Sequence, residues 1–205
     1  MSTPASYFES MYQHSPDPWH LADRWYEHRK YALTLAALPH PRYRRAFEPA
    51  CSVGELTSQL ALRCDTLLAC DRVASAAVTA AHRTADHSHV RVEQRTLPDD
   101  WPEGTFDLIV LSELLYYFDA ATLDLLLRRT VAALEPGGTL VTVHWNHPVD
   151  EHLATGAELA QVLAEVPGLL LTADHRETDF VLQTFGRVGP DGRRPGSAAE
   201  REGLV

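Results

Sequence analysis

A chain of 205 residues, 45% hydrophobic and 22% charged, has the length of one domain with appendages and the mix of a folded protein, which excludes a disordered chain. Eighteen Lys plus Arg against 28 Asp plus Glu leave a formal net charge of -10. Such a surface argues against a nucleic-acid substrate, because nonspecific affinity for phosphate backbones comes from cations that displace counterions. Cys51, Cys64 and Cys70 lie in patterned apolar segments without a short repeated spacing, so neither a disulfide framework nor a zinc knuckle is expected and a reducing cytoplasm fits. The amino terminus MSTPASYFES lacks the basic and apolar regions of a signal peptide, and no run approaches the ~18 apolar residues of a membrane span. Lys30 is the sole lysine, a bias that genomic base composition explains and from which no function is read.

Residues 1–20 carry aromatics among Ser, Pro and Asp, and Leu21 to Leu38 reads as an amphipathic helix. From Arg44 onward short apolar runs alternate with helical stretches. The strands are RRAFE, TLLAC, VRVEQ, FDLIVL, TLVTVHW, GLLLT and FVLQTFG; the helices are Glu55 to Arg63, Ala74 to Ala85, Ala120 to Leu134 and Glu151 to Glu165. Regular alternation implies right-handed crossovers, hence a doubly wound α/β fold with a mostly parallel seven-stranded sheet. The loop ADHRETD is too short for a parallel crossover, so the last two strands form an antiparallel hairpin. The division expected is a helical lid over 1–38, a ligand-binding domain over 39–187 and a Gly- and Pro-rich mobile tail over 188–205.

In an open parallel sheet ligands bind beyond the carboxyl ends of the strands, where the strand order reverses. There the first strand runs into FEPACSVGEL. Glu48 ends the strand, small residues Ala50, Cys51, Ser52 and Gly54 form the turn, and Glu55 opens a helix. Small residues let backbone approach a ligand, and the helix start offers unpaired N–H groups. Asp71 ends the second strand about 20 residues on, where a carboxylate can accept from both hydroxyls of a ribose. Glu48 would repel a pyrophosphate but suits a cationic cofactor, which favours S-adenosylmethionine over a nicotinamide dinucleotide. The plainer alternative is that Glu48 accepts a turn N–H and Asp71 caps the next helix.

FEPACSVGEL, ACD, FDLIVLSELLYYF and LEPGGTLVTVHW together resemble the class I S-adenosylmethionine-dependent methyltransferases. With DPWHLADRWYEHRKY and the HW pair ending the fifth strand, the chain is more narrowly similar to the nodulation protein S type, which methylates the nitrogen of an amino sugar. The likeness spans roughly residues 15–187 and implies a sheet closed by an antiparallel hairpin. By position it puts Glu48, Ala50, Cys51 and Gly54 around the methionine part of the cofactor, Asp71 on the ribose and Arg72 beside the adenine. It also puts Thr96 and Leu97 at the adenine edge, and Ser112 and Glu113 beneath the methionine portion. Trp19, Tyr26 and Arg29 belong to the lid, with Arg29 facing the cofactor carboxylate. Two positions depart from the pattern: Ala50 stands where relatives carry glycine, and Thr96 where many carry aspartate.

Methyl transfer from a sulfonium is an in-line displacement, and an amine acceptor must first lose a proton. His144, at the tip of the fifth strand, is the expected base, and Glu113 holds the amine or the cofactor ammonium. Tyr116 and Tyr117 wall the acceptor, one of them facing the core. His144 with His147, and His87 with His89, have ligand-like intervals but lack carboxylate or thiolate partners, so no metal is expected. The alternatives are an oxygen methyltransferase with His144 as base, and a noncatalytic S-adenosylmethionine-binding protein. A small-molecule acceptor is favoured over a nucleic acid, since SELL stands in place of a base-clamping Asn-Pro-Pro or Asp-Pro-Pro.

Overall fold

A computed structural model describes residues 1–205. Seven strands, β1 (Tyr43–Pro49), β2 (Cys64–Asp71), β3 (Val90–Gln94), β4 (Phe106–Ser112), β5 (Leu134–Trp145), β6 (Leu169–Arg176) and β7 (Phe180–Arg187), form one sheet in the order β3-β2-β1-β4-β5-β7-β6. The first five run parallel, and β7 is antiparallel to both β5 and β6. This is the doubly wound sheet with a closing hairpin expected from spacing. The order reverses between β1 and β4, and the ligand crevice opens there.

Helices α2 (Trp25–Ala36), α3 (Glu55–Ala61) and α4 (Ala74–Arg83) cover one face, where Tyr31, Leu56 and Leu60 pack on Ala46, Leu108, Val110 and Val141. Helices α5 (Ala120–Ala133) and α6 (Gly156–Ala164) cover the other, with Leu126, Leu127, Leu159 and Leu163 against Phe47, Ile109 and Leu111. Strands buried on both faces explain the near-continuous apolar runs of β4 and β5. Helix starts follow local chemistry: Asp119 accepts from the Thr122 N–H to cap α5, and Thr155 with Glu158 forms a capping box that starts α6 five residues later than expected.

The amino-terminal segment has one more helix than periodicity showed. Helix α1 (Ala5–His14) lies across the carboxyl ends of the strands, with Phe8 edge-on to Tyr117 at 4.8 Å and the Tyr12 hydroxyl hydrogen-bonded to Ser52. The carboxyl-terminal segment, read from its Gly and Pro content as a mobile tail, carries helix α7 (Ala198–Arg201) with a Ser197–Glu200 capping box, and Pro195 packs on Gly186. No helix is long and apolar enough to cross a membrane.

Candidate active site

Where β1 ends, backbone geometry is forced by the ligand crevice. Register pairs Glu48 with Ala69 and Pro49 with Cys70, so Glu48 and Asp71 sit at neighbouring strand tips. The turn that follows holds Ala50 at φ 56° and Ser52 at φ 50°, left-handed conformations that cost a side-chain-bearing residue roughly 1 kcal/mol each. This is why glycine suits position 50. The turn is pinned to β2 by the Cys51 N–H on the Cys70 carbonyl and the Ser52 N–H on Asp71 Oδ2, both 2.9 Å.

Asp71 also accepts the Val73 N–H through Oδ1 at 2.9 Å. It therefore does what the plainer alternative proposed, tying the turn to the start of α4, and still faces the cavity with a lone pair free on each oxygen. Glu48 differs. Its carboxyl is buried, Oε2 makes no hydrogen bond of good geometry, and the one side-chain donor beside it is the Thr57 hydroxyl, which only partly offsets burial. Burial pushes its pKa up to about 8, so the group is mostly protonated at neutral pH.

Around these tips opens a cavity of about 690 Å³, inside the range of sites that enclose drug-sized ligands. Eleven of the fourteen residues expected at the site line it: Trp19, Tyr26, Glu48, Ala50, Cys51, Asp71, Arg72, Thr96, Leu97, Ser112 and Glu113. Trp19 meets Tyr12 edge-on at 5.6 Å, and the Arg72 guanidinium lies 5.2 Å from the Phe8 ring centroid. The Thr96 N–H donates to Asp100, and Asp99 lines the same end of the cavity.

Three expectations are corrected. Arg29 does not line the cavity; its guanidinium makes a two-pronged pair with Glu177 at 2.6 and 2.7 Å, on the outer side of α2. Gly54 does not line it either. At φ 78° it starts α3, and an added Cβ would stand 2.8 Å from the backbone of Ala80 in α4, so this glycine serves helix packing. Gly54→Ala is expected to destabilise the fold by about 2–4 kcal/mol, from the left-handed backbone and the clash together, read as a lower urea midpoint.

His144 is the third. Its ring is 2% exposed and absent from the cavity wall, and Nε2 accepts the Leu115 N–H at 3.2 Å. Burial lowers its pKa to about 4, so it is a neutral structural acceptor and a poor base. Its depressed folded pKa contributes stability that is present above pH ~6.5 and lost as pH falls through 4. His144→Leu should cost about 1–3 kcal/mol by orphaning Leu115 N–H. The pH dependence of kcat should keep its shape in that variant; loss of one limb would return His144 to the chemistry.

Glu113 lines the cavity but is not a free base. At φ 52° and held by its N–H on the Val143 carbonyl, it receives the Lys30 ammonium on Oε1 at 2.7 Å, and the Tyr116 hydroxyl and Trp145 N–H on Oε2. Burial would raise its pKa, yet Lys30 outweighs burial and leaves it lowered. Lys30 also lies 2.9 Å from Glu27 and is 2% exposed; burial pulls its pKa down, but the two carboxylates reverse that and keep it an ammonium. Sequence reasoning passed over Lys30. Its one available signal was a lone lysine among arginines, placed one helical turn from Glu27. His152, also not anticipated, lines the cavity with its ring stacked on Tyr116 at 3.8 Å. Both Tyr116 and Tyr117 line the cavity, and both are buried.

The chain is similar to known proteins over most of its length. The profile of the Nodulation protein S (NodS) family matches residues 11–167. Nodulation protein S of Rhizobium tropici is 30% identical over 184 residues, covering 82% of this chain and 75% of its own. A candidate methyltransferase from Pseudomonas syringae, of known structure, is 48% identical with a TM-score of 0.72, over 80% of this chain and 100% of its own. The N-methyltransferase NodS from Bradyrhizobium japonicum WM9, solved with S-adenosyl-L-homocysteine, is 25% identical with a TM-score of 0.79, over 89% of this chain and 98% of its own. This chain belongs to the Nodulation protein S family and carries the class I methyltransferase fold.

Proposed function

We propose that the protein is an S-adenosylmethionine-dependent methyltransferase that methylates the nitrogen of a small amine, with an amino sugar as the first class to try. The observation that carries the reading is Glu48: a buried carboxyl with an unpartnered oxygen fits an arriving cation and no phosphate. When bound, S-adenosylmethionine supplies an electrophilic methyl on a sulfonium sulfur. Glu48 faces its ammonium, the free lone pairs of Asp71 receive the ribose hydroxyls, and Thr96, Leu97 and Asp99 border the adenine. Helix α1 excludes water over this end through Tyr12 on Ser52 and Phe8 on Tyr117.

Nitrogen as the accepting atom is supported by the cofactor-bound relative described as an N-methyltransferase. A small-molecule acceptor rather than a nucleic acid agrees with a net charge of -10, and three buried unpaired cysteines suit a reducing cytoplasm. Incubation with methyl-labelled S-adenosylmethionine, glucosamine and a phenol should place label on nitrogen only. Label on the phenol oxygen would replace this reading with an oxygen methyltransferase; tight cofactor binding without transfer to any acceptor would make the protein a binding module.

A further inference from the structure

The mechanism needs a proton acceptor, and His144, first expected in that role, is turned away from the cavity, while the Glu113 carboxylate is already taken up by Lys30, Tyr116 and Trp145. Three buried polar atoms on residues that line the cavity lack any partner, Glu48 Oε2, the Tyr26 hydroxyl and His152 Nδ1, while Glu27 Oε2 has only the Lys30 ammonium at 2.9 Å. Glu48 belongs to the cofactor, Glu27 lies beside Lys30, and a tyrosine hydroxyl is a donor first. His152 remains, on the loop between β5 and α6.

We propose that His152 Nδ1 takes the proton from the acceptor nitrogen, in a subsite walled by Tyr116, Tyr117 and Phe8. The ring is held for this. It stacks on Tyr116 at 3.8 Å with 15° between planes and meets Tyr117 edge-on at 5.0 Å. Its main chain is anchored by the His152 N–H on the Val149 carbonyl at 3.0 Å and by the Leu153 N–H on the Tyr116 carbonyl at 2.7 Å. Thr3 Oγ1 donates to the Glu151 carbonyl at 2.7 Å, so the segment leading into α1 is fastened to the same loop.

The charges around the ring suit a base that starts neutral. Burial lowers its pKa, while Glu113 at the tip of β4 and Glu151 on its own loop oppose that, and His144 behind Tyr116 stays neutral. Once protonated, the imidazolium faces the Glu113 carboxylate, which Lys30 and the Tyr116 hydroxyl already hold ionised.

The step balances. An acceptor ammonium gives its proton to His152 Nδ1 and keeps the N–H electron pair as a lone pair. That pair forms the bond to the methyl carbon while the carbon–sulfur pair returns to sulfur, and the imidazolium later releases its proton to solvent. Nearby aromatic faces fit an acceptor with a flat apolar side, such as a pyranose ring carrying an amino group.

This inference rests on the nitrogen-methyltransfer reading, and one experiment separates the two. Transfer from labelled S-adenosylmethionine to glucosamine would be followed from pH 5 to 9 for the full chain and for His152→Gln, with cofactor affinity by calorimetry. A third arm adds imidazole to His152→Ala. A fourth follows the His152 ring by NMR in histidine-labelled protein with S-adenosyl-L-homocysteine, with and without glucosamine. We expect unchanged cofactor affinity, a fall in kcat of about 10²–10⁴-fold with loss of the acidic limb, partial rescue by imidazole, and a His152 titration that moves on adding the amine. Normal kcat and pH profile in His152→Gln, or a ring blind to the amine, overturns the role of His152 alone. Absence of transfer to nitrogen by the unaltered protein overturns the parent reading and this one with it.

Discussion

Lys30→Met is expected to lower stability by about 3–5 kcal/mol and to abolish methyl transfer, because it leaves two carboxylates, Glu27 and Glu113, facing each other without a cation. In a domain of this size each kcal/mol moves the melting temperature by ~2–4 °C, so thermal denaturation should show a drop on the order of 10 °C. The effect belongs to the buried pair and not to lost packing, since methionine nearly conserves the side-chain volume. Adding Glu113→Gln to Lys30→Met should restore part of the stability, because only one carboxylate, Glu27, is then left buried without its cation and nothing of like charge faces it. It should not restore transfer, since Glu113 no longer supports Tyr116 and the ring above it as an anion. Additive losses in the double variant would mean that the two groups are not coupled.

Glu48→Gln should weaken S-adenosylmethionine binding by about 2–5 kcal/mol, the cost of leaving a charge in a buried site without its counterion. The unliganded protein should respond in the opposite direction. A carboxyl whose folded pKa is raised from 4.5 to about 8 binds more protons folded than unfolded across that window. Its stabilising contribution is therefore complete below pH 4.5 and lost as pH rises through 8. Subtracting the variant's denaturation curve from that of the unaltered protein should show this loss between pH 4.5 and 8, on the order of 3–5 kcal/mol at the alkaline end. Binding at pH 7 should also release about one proton, as the arriving ammonium ionises Glu48, and calorimetry in buffers of different ionisation enthalpy reads that number. A variant with unchanged affinity and unchanged proton release would remove Glu48 from the cofactor site.

The sheet was legible in the sequence because strands buried on both faces leave unbroken apolar runs, and because a short loop admits only an antiparallel return. Glu48 and Asp71 were legible for the same reason: strand tips beside the switch point are a matter of topology. Helix α1 was not, since its aromatic face meets the cavity mouth and Tyr117 instead of the sheet, and no core periodicity marks it. The start of α6 could have been found from Thr155 and Glu158, spaced as a capping box. Side-chain direction was the common failure at the site. Arg29 and Lys30 are neighbours on α2, and a rotation of ~100° per residue sends one out to Glu177 and the other in to Glu113. His144 and Trp145 likewise alternate along β5, so the histidine turns into the core and the tryptophan faces the cavity.

A crystal structure with S-adenosyl-L-homocysteine bears most directly on the claim that the crevice between Glu48 and Asp71 receives the cofactor. The amino nitrogen should lie about 3 Å from Glu48 Oε2, with a ribose hydroxyl at the same distance from Asp71. A ligand seated elsewhere, or a Glu48 still without a partner in the complex, would contradict it.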